Sequence, residues 1–303
     1  RDRTEISRHD MQAVMNVAKA VNLPTEREVL HTICQHYCID GQQRVVTPEG
    51  MEGARLELDM LVVHGLRSPM RNTIKAVKDL LIDVQDVVYA GLASGLSVLG
   101  VEQKKGGVLV VDLGAGTTEY VAYAGGVIAA TGALGVGGDH VTNDIALAFG
   151  IPERQAERCK IEHGGAVIAA DTEGKVSVAP GVGFSGRTIS RQSLLTVINA
   201  RVDETLRMVK RRLEEDKVPP HLAAGVVLVG GGAHMPGVTD LAAEVFDMPC
   251  VVGRPREVSG LATATEGPEY ATCTGLIQYA CRKWQNRRRT PALTGLIKNI
   301  LKR

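Results

Sequence analysis

Two glycine-rich turns, each ending a run of aliphatic residues, hold the residues whose types and spacing could do chemistry. The first follows Val108–Val111 and runs Asp112-Leu113-Gly114-Ala115-Gly116-Thr117-Thr118. Phosphate oxygens need several inward-pointing backbone amides at close range, and turns free of Cβ bulk present them at little steric cost. Gly114, Ala115 and Gly116 supply that backbone, Thr117 and Thr118 add hydroxyls, and Asp112 at the strand end is placed to hold Mg2+ or its water shell beside the phosphates. Taken alone, the string is also open to a tight hairpin with no ligand. A dinucleotide fingerprint is disfavoured, because it needs a helix straight after the glycines and an apolar strand follows here. The second turn, Gly230-Gly231-Gly232-Ala233, follows Val226–Val229 about 115 residues later and precedes a helix after Pro236-Gly237. It could let a nucleoside lie against backbone where side chains would collide.

Other constellations carry less. His31, Cys34, His36 and Cys38 invite a zinc reading, but the last three alternate at strand period, with neighbours about 7 Å apart, too far for a compact tetrahedral set without a bulge. There is no His-Glu-x-x-His pattern, Gly-x-Ser-x-Gly elbow or Walker lysine loop. The charged run Lys210–Asp216 is best read as a solvated helix face.

The elements that must position the turns follow from periodicity. At 303 residues the chain suits two or three compact units, each with its own core. Residues 7–21 carry Met11, Val14, Val17, Ala18 and Val21 at helical spacing behind Ser7 as N-cap, and strands are predicted from Val29 to Ile39 and from Arg55 to Val63. A helix over 69–81, a strand over 83–89 and a small-residue helix over 90–100 follow, so residues 5–88 form an α+β unit. Around the first glycine turn the order is strand, turn, strand, Gly125-Gly126 hairpin, strand. Helices are predicted at 138–149, 152–163, 190–215 and 268–281, with short strands between 166 and 180. A basic stretch, 284–291, then reads as a linker, and Trp284 suits either a helix cap or a membrane headgroup level.

The charges nearly cancel, Lys plus Arg 35 against Asp plus Glu 34, so no global excess points to nucleic acid as a partner. Six scattered cysteines without framework spacing fit reduced thiols in a cytosolic compartment. No apolar run approaches the roughly 20 residues that span a bilayer, and no signal-peptide pattern opens the chain. The start at Arg1 without Met leads us to expect an upstream segment. In 292–303 the apolar residues Leu293, Leu296, Ile297, Ile300 and Leu301 line one helical face, and Lys298, Lys302 and Arg303 are the charged remainder. Such a segment suits an anionic membrane surface, each basic residue contributing about 1 kcal/mol near the headgroups; docking into the core is the alternative. So short a helix binds weakly alone, so attachment is expected to depend on self-assembly.

The paired turns, in the order β-turn-β, helical insertion, β-turn-helix, resemble the phosphate and adenosine loops of the actin and sugar-kinase superfamily, in which two related halves clamp ATP. A closer resemblance covers nearly the whole chain. Val110–Thr118, Tyr123–Gly126, Val141–Ala146, Ala148–Pro152, Ala156-Glu157 with Lys160 and His163-Gly164, Val29–His31, Tyr89–Ser94 and His221–Leu228 resemble the bacterial cell-division FtsA family in order and spacing. The resemblance implies an α/β fold of actin-like (ribonuclease H-like) type. Residues 5–88 would be the family's inserted subdomain 1C, 107–150 with 222–267 subdomain 2A, 151–221 subdomain 2B, and 89–106 with 268–283 what remains of a subdomain 1A mostly lacking here. It further implies ATP and Mg2+ as ligands, Glu157 and Lys160 on the helix flanking the nucleoside (for each, plain surface charge is as good a reading), and self-association into filaments. The tubulin-like FtsZ would bind by its C-terminal peptide at 2B, other division proteins at 1C, and the cytoplasmic face of the membrane at the division site at 292–303. Two departures stand out. No first phosphate hairpin precedes residue 100, so nucleotide affinity is expected to be weakened or lost in the chain as given, and Ala90 stands where related chaperones carry a water-orienting carboxylate, so hydrolysis is expected to be slow or absent. A pilus-assembly protein of the PilM type is the alternative, disfavoured by the basic tail; a small-molecule kinase is a more distant one.

Overall fold

A computed structural model describes residues 4–168, 173–181, 183–256 and 266–289 of the chain. Its centre is a five-stranded sheet in the order β12-β11-β6-β7-β8. It is built from β6 (Val108–Leu113), β7 (Thr118–Ala124), β8 (Val127–Leu134), β11 (Val226–Val229) and β12 (Cys250–Val252). β11 runs parallel to both β6 and β12, while β7 and β8 continue antiparallel. Every residue of β6 is buried, as an apolar run without alternation requires when helices cover both sheet faces. Leu109 and Val111 point into one core, and Val108 and Val110 into the other.

The larger core is closed by α5 (Gly138–Phe149), α7 (Arg191–Glu215) and α8 (Val238–Phe246), with α6 (Glu153–His163) behind α5. α7 buries Leu194, Ile198, Val202, Leu206, Val209 and Leu213, a stripe at helical spacing. The opposite face carries α3 (Ala90–Val98), which packs along α9 (Ala271–Arg289). A short helix α4 (Val101–Gly106) leads into β6.

Residues 4–78 form a separate unit. A three-stranded sheet, β3-β2-β5, combines β2 (Arg27–Ile39), β3 (Gln43–Val45) and β5 (Leu56–Leu66). Beside it lie α1 (Arg8–Lys19), α2 (Arg67–Lys78) and the small pair β1 (Thr4–Glu5) and β4 (Glu52–Gly53). Ser7 caps α1 in a reciprocal box with Asp10, as its position before the apolar period predicts. A hairpin of β9 (Lys175–Val178) and β10 (Arg187–Ser190) precedes α7.

Several predicted bounds move by up to three residues, and two stretches differ in kind. Residues 83–89 belong to no ladder: a run rich in β-branched residues becomes a strand only where a neighbour's backbone pairs with it, and β2, which lies beside it, meets it through the His31 side chain instead. The stretch read as a linker from 284 is helical to Arg289, because Gln and Arg propagate a helix and the first breaker is Pro291. The amphipathic stretch 292–303, with Leu293, Leu296, Ile297, Lys298, Ile300, Leu301, Lys302 and Arg303, lies outside the described residues. No described helix is long and apolar enough to cross a membrane.

Candidate functional site

The glycine turns meet at the ends of two adjacent interior strands, β6 and β11. Val229 pairs with Asp112 in the parallel β11–β6 ladder, so both chains leave the sheet side by side. Gly230 adopts φ +83°, and a Cβ there would stand 2.5 Å from Asp112 Oδ1 and 2.7 Å from the Leu113 carbonyl oxygen. On Gly232 it would stand 2.7 Å from Leu113 Cβ. The second turn is thus glycine because it leans on the first. Gly116 and Gly231, in contrast, face open space.

In the first turn, Gly114 N–H donates to the Thr117 carbonyl at 3.0 Å. Ala115, Gly116 and Thr117 are exposed, and their N–H groups have no backbone acceptor among the described residues. A third glycine turn, Gly137-Gly138 at the start of α5, backs the first: Gly138 N–H donates to the Gly114 carbonyl at 3.0 Å and Asp139 N–H to that of Ala115 at 2.8 Å. A cavity of about 40 Å³ lined by Gly114, Thr118, Gly138, Thr205 and Gly232 lies where the turns converge.

The predicted side chains divide by role. Thr118 is fully buried and gives its hydroxyl to the Val136 carbonyl at 2.8 Å, so it braces the turn. Ala233 is buried in the larger core and supports its turn from beneath. Asp112 is 7% exposed. Burial pushes its carboxyl above the usual range, although the hydroxyls of Thr272, 2.8 Å from Oδ2, and Ser94 pull the other way. Lys160 Nζ donates to the Gly138 carbonyl at 3.0 Å and the Thr142 hydroxyl at 2.8 Å, and pairs with Glu157 at 2.6 Å. Burial opposes ionisation of Glu157, but hydrogen bonds from Lys160 and Thr142 outweigh it and hold the carboxyl below its ordinary value. These two residues therefore tie α6 to the turn that backs the phosphate loop.

Sequence reasoning missed Glu119. A four-residue turn closed between Leu113 and Thr118 sets Glu119 opposite Asp112 across the hairpin, on the same face of the sheet. Burial raises its carboxyl, the Thr117 hydroxyl at 2.6 Å lowers it, and the Asp112 charge raises it again. Hairpin register, counted outward from the turn, is the signal that could have found it. Gly137-Gly138 was visible only as a helix start.

The residues present fit a magnesium-bound polyphosphate: free amides at the first turn, open space at Gly116 and Gly231, and two carboxylates whose raised values a cation would relieve. No three His, Cys, Asp or Glu residues come together as a metal cage among the described residues. That includes the cysteines of β2, although β2 does bulge between Cys34 and His36.

The model of the family described as "Cell division protein FtsA" matches residues 109–275, and that of the "SHS2 domain inserted in FTSA" matches residues 1–64. A cell division protein FtsA of Pseudomonas aeruginosa is 38% identical over 284 residues, 93% of this chain and 68% of the relative. The Escherichia coli K12 protein of the same description is 36% identical over 285 residues, 91% and 67%. Among solved structures, MreB5 of Spiroplasma citri bound to ADP aligns with a TM-score of 0.57 at 20% identity, over 74% of this chain and 68% of that one. The PilM-PilN type IV pilus biogenesis complex aligns at 0.59 and 17%, over 90% and 73%. At such identities these structures speak for the fold, which is actin-like.

Proposed function

Since the chain belongs to the FtsA family and its function is that of an actin-like cell-division protein, we propose that it binds ATP with Mg2+ at the converging glycine turns. It then self-assembles and holds FtsZ filaments at the inner face of the cytoplasmic membrane. The observation that carries this reading is the placement of Asp112, Gly114–Thr117 and Gly230–Gly232 at neighbouring strand ends. In it, the amides of Ala115, Gly116 and Thr117 take phosphate oxygens. Asp112 and Glu119 orient the water shell of the cation, and the Gly230–Gly232 backbone receives the nucleoside. Bound magnesium would offset phosphate charge. Lys160 and Glu157 act indirectly, keeping Gly138 against the Gly114 carbonyl. ADP and AMPPNP in the solved MreB5 structures favour a nucleotide as the ligand.

A groove of about 870 Å³ between α5 and α7 supports the partner half of the reading. It is lined by Leu147, Val197 and Met208 and by the ion pairs of Arg201 with Asp144 and Glu204 and of Arg207 with Asp203, beside Arg211, which pairs with Glu215. An apolar strip edged by charges of both signs suits a peptide with apolar anchors and charged flanks, the role assigned here to the FtsZ tail. Membrane attachment falls to 292–303, with several protomers presenting their tails together.

Titration calorimetry with ATP and Mg2+ tests the nucleotide reading. Wild type should bind, and Gly232→Val, whose side chain would press on Leu113, should lose at least about tenfold in affinity. Equal affinity in the two proteins would remove the glycine turns as the site.

A further inference from the structure

Strand β2 carries two bulges, and each stands beside a side chain that ties the inserted unit to the core. Its pairing with β5 shifts register between Val29 and His31 and again between Cys34 and His36, leaving Leu30 and Gln35 as the extra residues. A bulge bends its strand and re-aims the side chains around it. Gln35 Nε2 donates to the carbonyls of Ile128 at 2.6 Å and Ala129 at 3.2 Å, both on β8. Four residues earlier, His31 Nε2 accepts the Tyr89 N–H at 3.0 Å. Tyr89 is the N-cap residue of α3, and its hydroxyl donates to the Gly132 carbonyl on β8. Gln35 and His31 are thus two polar fastenings from one strand, and they differ in kind: an amide keeps its donors at any pH, whereas an imidazole accepts only when neutral.

The surroundings of the ring are defined on every side. Tyr279 of α9 stands edge-on, with ring centroids 6.2 Å apart. Asp86, on the segment leading to Tyr89, is paired with Lys283 of α9 and accepts from the Tyr279 hydroxyl at 3.4 Å. Val63 of β5 lies opposite in the ladder, and further along the two strands Arg27 meets His64. Burial favours the neutral imidazole, Asp86 opposes it and Lys283 reinforces it, leaving His31 below the ordinary histidine value.

We propose that His31 is a proton-operated latch between the inserted unit and the actin-like core: neutral, it holds the Tyr89 amide, and protonated, it lets go and leaves the unit pivoting on Gln35. The imidazolium has no lone pair to offer and presents a second donor to an N–H and a lysine. The released group is the amide at the head of α3, the helix whose Ser94 reaches Asp112. This inference goes beyond the nucleotide reading and stands whether or not ATP binds.

Amide exchange followed by NMR on the full chain tests it, with protection factors corrected for the intrinsic pH dependence of exchange. The Tyr89 amide should lose protection by about tenfold as pH falls from about 7.5 to about 5, tracking the His31 ring, while Val110 in β6 stays protected. His31→Gln keeps an acceptor without a titrating group, so its Tyr89 protection should be flat. Two results overturn the latch: a wild-type Tyr89 amide that does not respond while the His31 ring titrates, or the same loss in His31→Gln. Should that variant not fold, the wild-type ring and amide titrations decide alone, and midpoints that do not coincide refute the proposal.

Discussion

Asp112 and Glu119 face each other across the first hairpin, and burial holds both carboxyls above the ordinary carboxylate range. A group raised on folding contributes stability below its unfolded value, about 4, and that contribution is lost as pH rises through the folded value. At neutral pH the two ionised groups therefore work against the fold, which is tolerable where charge serves binding. Asp112→Asn keeps the shape and removes the charge. It should raise the melting temperature by roughly 2–4 °C in scanning calorimetry while lowering Mg-ATP affinity by at least about tenfold. A variant that melts lower and binds as well as wild type would assign Asp112 to structure alone. His31 has the opposite sign: its value is lowered on folding, so its contribution is complete above the unfolded value and fades as pH falls through the folded one.

At the scale of elements, α3 and α9 approach so closely that a Cβ on Gly275 would run into the Ala93 carbonyl. Gly275→Ala should destabilise the chain by about 1–3 kcal/mol in urea denaturation, and a neutral result would mean the helices part without cost. This contact was not legible in the sequence, where Gly275 is only a weak point in a helical pattern. What could be read locally was read: the Ser7 cap, the apolar stripe of α7, the buried runs Val108–Val111 and Val226–Val229, and the two glycine turns they end in. Positions decided by a partner element could not be. Asp83–Val88 has strand composition but no ladder partner, Thr118 turns its hydroxyl inward because Val136 is there to take it, and Glu119 gains meaning only from the register that sets it opposite Asp112.

For the whole molecule, the membrane and nucleotide roles should separate. Removing residues 290–303 is expected to abolish co-sedimentation with vesicles of anionic lipid while leaving ATP affinity within about twofold, since the tail lies outside the turns that form the site. Retained sedimentation would transfer the membrane role to another surface. The regions proposed for the two roles are nevertheless joined by one element. α9 has Thr272 of its first turn in contact with Asp112 and runs unbroken for 19 residues from Ala271 to Arg289, next to the tail, a rod of about 28 Å at helical rise. With Thr272 as fulcrum, a tilt of about 5° would swing its far end by about 2 Å. The carboxylate that faces the glycine turns is therefore in direct contact with the base of the helix from which the tail continues.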